Sequence, residues 1–222
     1  MTYEGLRLHF QKVIRKAFSK VRKKSLISEK FTIISNNCWG GMIYESYDLP
    51  KETPTVGLFF VASDYIKFVS NLQEYFETEL EFITENESKW KNILDSDKRF
   101  GTYPIGKLKD IEIFFLHYHS EEEAKQKWKR RIKRVQWDRI LIKFNDQNYC
   151  TEQDVEEFIS LQMKNKVFFT SKHWKKENEW KIKLKNQYVY IKQFPKHDFV
   201  MASYEPFGRS KRLDVTTLIN SL

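Results

Sequence analysis

The chain has 222 residues, of which 41% are hydrophobic and 16% aromatic, so it can bury a full core and favours a single domain. No apolar run approaches the roughly 18 residues of a membrane span, and the N-terminus lacks the apolar stretch of a secretory signal. Two cysteines are too few for a disulfide framework, and their spacing indicates no zinc site. We therefore expect a cytoplasmic protein with reduced thiols.

The net charge of +9 is concentrated in the N-terminal segment. Residues 1–24 contain eight Lys and Arg residues and one acidic residue, which gives this segment a net charge of +7. Its apolar residues recur at spacings of four, three, four and four, which predicts one apolar stripe along a helix, made of Leu6, Phe10, Val13, Ala17 and Val21. Such a helix either packs on its own domain or lies against an anionic membrane or a partner protein. We therefore divide the chain into a basic amphipathic helix, 1–24, and a single α/β domain, 25–222.

Strand signals alternate with helix signals along the rest of the chain, which predicts an α/β fold. Six apolar runs predict strands, at 31–35, 55–61, 80–84, 111–118, 139–144 and 167–170. A late strand is expected at 188–194, with 180–184 as a candidate hairpin partner. The predicted architecture has three layers, with a mostly parallel sheet, helices on both of its faces and an antiparallel edge strand left open.

Polar side chains follow the first predicted strand, at the end where parallel sheets bind ligands. The strand breaks into Asn36, Asn37, Cys38 and Trp39 ahead of two glycines, and neither the Walker loop nor GxGxxG is present. The asparagines either hold a polar ligand through their amides or form a turn and cap a helix. Trp39 either stacks on a sugar or base or belongs to the core, and Cys38 could act as a nucleophile only beside a base or a cation.

Later strand ends carry further candidate site residues. The fifth predicted strand ends in Asn145 and Asp146, where a carboxylate can bind a ribose hydroxyl, a sugar or a metal, or hold a turn by its own hydrogen bonds. The sixth leads to Ser171 and Lys172, and the lysine suits a phosphate. His117, near the end of the fourth, could exchange a proton near neutral pH or be a structural histidine. We take Asp146 and His117 as the candidate catalytic residues and the others as ligand-binding.

Metal and nucleic-acid patterns are less specific. Asp95 and Asp97 match the DxD pattern with which many glycosyltransferases hold a divalent metal and a sugar diphosphate, although two such acids can also simply end a helix. The predicted helix at 120–135 carries many cations, but no zinc finger, RNP pattern or KH loop accompanies them. Specific nucleic-acid recognition is therefore not expected. The sequence does not identify a cofactor, and a divalent metal is the one candidate.

Five segments carry a family resemblance: FTIISNNCWGGMIYESYDL at 31–49, TPTVGLFF at 53–60, YPIGKLKDIEIFFLHYHSEEEAKQKW at 103–128, KFNDQNYCT at 143–151 and KVFFTSKHW at 166–174. Together they resemble bacterial proteins of unknown function labelled exopolysaccharide biosynthesis proteins. The resemblance implies an α/β fold and a link to exopolysaccharide or capsule gene clusters, with no established reaction and no catalytic residue to carry over.

Two functions follow as hypotheses. The first is a glycosyltransferase-like transferase that binds a nucleotide sugar or a saccharide at the strand ends. The alternative is a noncatalytic accessory protein that docks on a membrane-associated polysaccharide assembly through residues 1–24, at the inner face of the membrane. Nonspecific nucleic-acid binding by the basic surfaces is a third class, which would weaken steeply with salt.

Overall fold

The structure is a computed structural model that describes residues 6, 9–10, 13, 16–191 and 213–222. Its strands, in chain order, are β1 Thr32–Ser35, β2 Glu81–Ile83, β3 Ile105–Leu108, β4 Ile111–Phe114, β5 Ile140–Asn145, β6 Lys166–Thr170 and β7 Tyr188–Tyr190. Its helices are α1 Ser19–Lys24, α2 Trp39–Ser46, α3 Ala62–Ser70, α4 Leu72–Glu77, α5 Lys91–Leu94, α6 Glu121–Ile132, α7 Glu152–Ser160, α8 Glu177–Leu184 and α9 Val215–Asn220. Short 3₁₀ helices at Trp137–Arg139 and Lys185–Gln187 precede β5 and β7.

Four parallel strands form the main sheet, in the order β1-β5-β6-β7. Three antiparallel strands form a second sheet, in the order β2-β3-β4. The predicted α/β fold with a mostly parallel sheet is confirmed. The late strand that the sequence left open as an antiparallel edge pairs parallel with β6, and the antiparallel strands form a sheet of their own.

Successive residues of the main sheet point to opposite faces and enter two different cores. On one face, Ile34, Phe144 and Phe168 pack with α3, α4, α6, α7 and α8. On the other face, Ile33 and Phe169 pack with α2 and α9. Because helices cover both faces, these strands are buried at almost every position, which explains why each contains an uninterrupted apolar run.

Side chains, rather than another strand, protect the open edge of β1. The Tyr44 hydroxyl accepts a hydrogen bond from the Ile33 N–H at 3.2 Å and donates one to the Phe31 carbonyl oxygen at 2.7 Å. The Thr55 hydroxyl accepts a hydrogen bond from the Ser35 N–H at 3.2 Å. Backbone groups that would otherwise be available for edge pairing are thereby satisfied within the chain.

Two segments predicted as strands have other structures. The segment 55–61 borders β1 through the hydroxyl of Thr55. Only Phe59 pairs in the manner of a strand, by two backbone hydrogen bonds to Phe114 at 2.9 and 3.0 Å. The predicted hairpin partner of the late strand is instead the second half of α8. Trp180 and Leu184 are buried there at a spacing of four residues, which places them on one helical face.

The predicted N-terminal helix is described in part. The described residues at positions 6, 9, 10, 13, 16 and 17 are helical, and α1 follows them; the other residues before position 16 lie outside the described residues. Within the part of the chain that the structure describes, no helix combines the length and the apolar character needed to cross a bilayer.

Candidate functional site

A network of amides joins the ends of β1 and β5. The Asn36 side chain accepts a hydrogen bond from the Asn145 N–H at 3.2 Å and donates one to the Asn145 side-chain oxygen at 2.7 Å. The ammonium group of Lys143 donates to the Asn37 side-chain oxygen at 3.0 Å. Asn36, Lys143 and Asn145 are fully buried. These side chains therefore hold the two strand ends together, and we call Asn36, Lys143 and Asn145 the floor.

Asn37 forms the turn from β1 into α2. Its side-chain oxygen accepts a hydrogen bond from the Trp39 N–H at 3.1 Å, and its side-chain NH₂ donates to the Gln147 side-chain oxygen at 3.0 Å. The Trp39 side chain is fully buried, with its ring edge-on to Phe169 at a centroid separation of 5.2 Å. The packing of Trp39 is thus that of a core residue.

Asp146 ties β5 to β6 behind this floor. One oxygen of its carboxylate accepts hydrogen bonds from the Thr170 hydroxyl and from the Ser171 N–H, the latter at 3.2 Å. The other oxygen is buried and has no hydrogen-bond partner among the described residues. Burial raises the pKa of Asp146, while the hydrogen bond from Thr170 and the charge of Lys172 oppose that rise.

Two open cavities meet at Cys38, where α2 begins. The first, of about 350 Å³, is lined by Cys38, Gly41, Met42, Glu45, Lys51, Val56, Gly57, His117, Tyr118, Lys127 and Arg131. The second, of about 200 Å³, is lined by Asn37, Cys38, Leu58, Phe59, Leu94, Asp97, Arg99, Leu116, Gln147, Asn148 and Tyr149. We call the first the cationic cavity, the second the amide cavity, and the two together the strand-end cleft.

Helix α6 supplies two cations to the cationic cavity. Lys127 and Arg131 are four residues apart, so both lie on one face of the helix. The Lys127 ammonium group pairs with Glu123 and lies 5.4 Å from the centroid of the Tyr118 ring, and the Arg131 guanidinium donates to the Tyr118 hydroxyl. Both cations are therefore held in place at the wall of the cavity before a ligand arrives.

The remaining ionisable groups of this cavity are Lys51, Glu45 and His117. Lys51 pairs with Glu45 at 2.6 Å, so three cations and one carboxylate line the cavity in all. Partial burial lowers the pKa of His117, and the positive charges of Arg99 and Lys51 lower it further. His117 is consequently neutral near pH 7 and can accept a proton.

The amide cavity lies beside a strained turn after β5. Asn148 and Tyr149 both have left-handed backbone conformations, with φ of 57° and 65°, which is uncommon for a tyrosine. The turn is fixed by hydrogen bonds from the Ala62 N–H to the Asn148 carbonyl oxygen at 2.9 Å and from the Asn148 side chain to the Phe60 carbonyl oxygen at 3.0 Å. Strain that the surrounding structure maintains in this way is concentrated at functional sites.

The DxD residues do not assemble a metal site. Only Asp97 lines the cleft, and its carboxylate accepts a hydrogen bond from the Arg99 N–H at 3.0 Å and lies 3.7 Å from the Arg99 guanidinium. Over the described ranges, no group of three or more His, Cys, Asp and Glu residues is arranged to hold a metal ion. An arginine beside the carboxylate competes with a divalent cation, so Asp95 and Asp97 do not fit that cofactor.

The predicted site residues fall into three groups. Those that line the cleft are Asn37, Cys38 and His117. Asn36 and Asn145 belong to the buried floor and line neither cavity themselves. The remaining predicted residues lie outside both the floor and the two linings; they are Trp39, Asp146, Ser171 and Lys172. The structure therefore does not bring the two candidate catalytic residues, His117 and Asp146, to the same cavity.

Several cleft residues were not predicted. Lys127 and Arg131 could have been predicted from the sequence. The helix that contains them begins at a recognisable cap after a strand, and their spacing of four residues places them on one face of it. Arg99 and Tyr149 had none, since both lie in loops whose paths depend on tertiary contacts. A third cavity, of about 380 Å³, opens at the opposite end of β5 and involves none of the residues above.

Comparisons with other proteins place the chain in a family without an assigned function. The family described as "Domain of unknown function (DUF1919)" matches residues 9–218. An "Uncharacterized protein" of Haemophilus influenzae is 33% identical over 190 residues, which cover 86% of this chain and 82% of the relative. Neither description names an activity, so the link to exopolysaccharide synthesis stays a prediction.

Proposed function

We propose that this chain, which belongs to the DUF1919 family of proteins of unknown function, binds a nucleotide sugar or a phosphorylated saccharide in the strand-end cleft. The observation that carries the proposal is the junction at Cys38, where a cavity with three cations adjoins a cavity lined by amide side chains and a phenol. Fixed cations suit a phosphate or diphosphate, while amides and an aromatic ring suit sugar hydroxyls and a ring face.

The size and position of the cleft support the same ligand class. Cavities of about 350 and 200 Å³ that share a lining residue fall together in the range of small-molecule sites, roughly 300 to 1,000 Å³. The junction lies beyond the carboxyl ends of β1 and β5, where open parallel sheets bind their ligands.

We further propose that the reaction is transfer of the sugar, and the resemblance of the five sequence segments to exopolysaccharide biosynthesis proteins is the ground for that step. In this scheme His117 takes the proton of an acceptor hydroxyl as its oxygen bonds to the anomeric carbon. The bond from that carbon to the phosphate oxygen breaks, and the phosphate leaves with the electron pair beside Lys127 and Arg131. Asp146 acts as a positioning residue that holds β5 to β6 behind the floor.

The experiment is a thermal-shift titration of the full chain with nucleotide sugars, each with and without magnesium or manganese. A ligand at one hundred times its Kd stabilises the folded state by about 2.7 kcal/mol, which corresponds to roughly 5 to 10 °C for a chain of this size. Arg131→Gln removes a cation from the cleft and should weaken binding about tenfold or more. Arg130→Gln, one residue away on the exposed side of α6, is the matched control and should bind as the wild type does.

A saturable shift in the wild type and in Arg130→Gln that Arg131→Gln loses supports the proposal. Equal shifts in both variants would place the ligand elsewhere. The absence of a shift from every nucleotide sugar and sugar phosphate would reject the proposed ligand class and favour the noncatalytic accessory function.

A further inference from the structure

The apolar stripe of the N-terminal segment faces solvent. Leu6, Phe10, Val13 and Val21 are exposed to 59%, 64%, 53% and 66%. A surface helix in a globular protein ordinarily turns such a stripe toward its own core. A group of apolar side chains that are all exposed is therefore typical of an interaction surface.

The opposite side of the segment is the one that contacts the domain. Ser19 and Arg22 are only 6% and 4% exposed. The Arg22 guanidinium donates a hydrogen bond to the carbonyl oxygen of Ser46 in α2. The four described apolar residues of the stripe are thus exposed where Ser19 and Arg22 are buried, so the domain is contacted by the polar residues of the segment and not by the stripe. Anchoring through the polar side keeps the apolar stripe pointing outward.

Lysines border the outward-facing stripe. Lys16, Lys20 and Lys24 are exposed, and among the described residues no carboxylate lies within ion-pair distance of them. Within α1, Val21 and Lys24 are three residues apart and therefore lie on one face of the helix. Long lysine side chains in this arrangement can reach phosphate groups while the apolar residues between them leave water.

We infer that residues 1–24 dock on an anionic phospholipid surface, with the apolar stripe at the headgroup boundary and the lysines at the level of the phosphates. Charge complementarity selects this occupant, because the segment carries a net charge of +7. A second copy of the chain would place its own N-terminal segment, also with a net charge of +7, against the first, and the two segments would repel each other. Nucleic acid would satisfy the charge without requiring an exposed apolar stripe. The inference is independent of the ligand bound in the strand-end cleft.

The experiment measures co-sedimentation of the full chain with phosphatidylcholine vesicles that contain or lack phosphatidylglycerol. The wild type should bind only the vesicles with phosphatidylglycerol, and Lys20→Gln should bind about fivefold more weakly. Phe10→Asp, which puts a charge in the stripe, should bind at least about tenfold more weakly. The matched control is Ile182→Asp on α8, where the isoleucine is 76% exposed outside the segment, and it should bind as the wild type does.

Equal binding to both vesicle types, no binding, or equal losses in Phe10→Asp and Ile182→Asp would overturn the inference. A dimer that Phe10→Asp dissociates, without vesicle binding, would identify a second copy as the occupant and overturn it as well. Binding of duplex DNA that Phe10→Asp leaves unchanged, again without vesicle binding, would assign the surface to nucleic acid. All variants change exposed residues, so unchanged thermal unfolding verifies that each one is folded.

Discussion

Replacing Asn36 by Ala tests whether the strand-end asparagines hold the fold or contact a ligand. Asn36 is fully buried, and its side chain makes three hydrogen bonds to Asn145: to the carbonyl oxygen at 3.2 Å, to the side-chain oxygen at 2.7 Å, and from the backbone N–H at 3.2 Å. Each such bond contributes about 1 kcal/mol, and the substitution leaves the Asn145 groups unpaired in the interior. We therefore expect the free energy of unfolding to fall by about 3 kcal/mol, or the melting temperature by roughly 6 to 12 °C.

The assay is equilibrium urea unfolding followed by tryptophan fluorescence, with nucleotide-sugar binding measured on the same samples. Asn178→Ala is the matched control, because Asn178 is exposed on α8, and its stability should stay within about 0.5 kcal/mol of the wild type. The reasoning is refuted if Asn36→Ala unfolds at the wild-type urea concentration but no longer binds ligand. That result would mean that the amide faces the ligand and does not form the floor.

Three further predictions follow from the buried and partly buried ionisable groups. The pKa of His117 should lie below its usual value of about 6.5 in an NMR titration and should rise in Arg99→Gln, which removes one of the charges that lower it; an unchanged midpoint would contradict this. Burial raises the folded-state pKa of Asp146, so the stability that its protonated carboxyl contributes is complete below the unfolded pKa and is lost as the pH rises through the folded pKa. The free energy of unfolding in urea should therefore fall with pH over that range in the wild type and not in Asp146→Asn. An equal fall in both proteins would refute the shift. Lys166→Met should lower the free energy of unfolding by about 2 kcal/mol, since the ammonium group donates to three carbonyl oxygens at the end of α7, whereas the exposed Lys164→Met should leave it unchanged.

The strands of the main sheet were predictable because burial on both faces makes them continuous apolar runs. β1, β5 and β6 lie within one or two residues of the predicted positions. The start of α6 was equally accessible, because a serine three residues before a glutamate is typical of a helix N-terminus, and the hydroxyl of Ser120 accepts a hydrogen bond from the Glu123 N–H at 3.2 Å. Continuous apolar runs and a local capping pattern were sufficient to predict these elements.

The sequence failed where tertiary contacts decide the structure. The segment 55–61 has the composition of a strand, but Thr55 satisfies the edge of β1 with its hydroxyl, and only Phe59 pairs in the manner of a strand. The outward orientation of the apolar stripe was also not readable from its periodicity, which is the same for a stripe that faces the core. It depends on Arg22, which reaches the carbonyl oxygen of Ser46.

Only some of the residues that line the strand-end cleft were accessible from the sequence. The strand ends gave Asn37 and Cys38, because the residues after a parallel strand lie at the ligand-binding edge. The pattern did not reveal that Asn36 and Asn145 bond to each other, since the distance between two strand ends is a property of the fold. Arg99, which reaches the cleft from a loop, left no pattern in the sequence.

The most direct test of the proposed cleft is the alkylation rate of Cys38 with and without a nucleotide sugar. Cys38 lines both cavities, whereas burial raises the pKa of the other cysteine, Cys150, and so disfavours the thiolate that an alkylating reagent needs there. Cys38→Ser measures the background labelling of Cys150. Saturable protection of Cys38 by the ligand, lost in Arg131→Gln and kept in Arg130→Gln, is the predicted result. Ligand binding that leaves the labelling rate of Cys38 unchanged would place the site elsewhere and contradict the proposal.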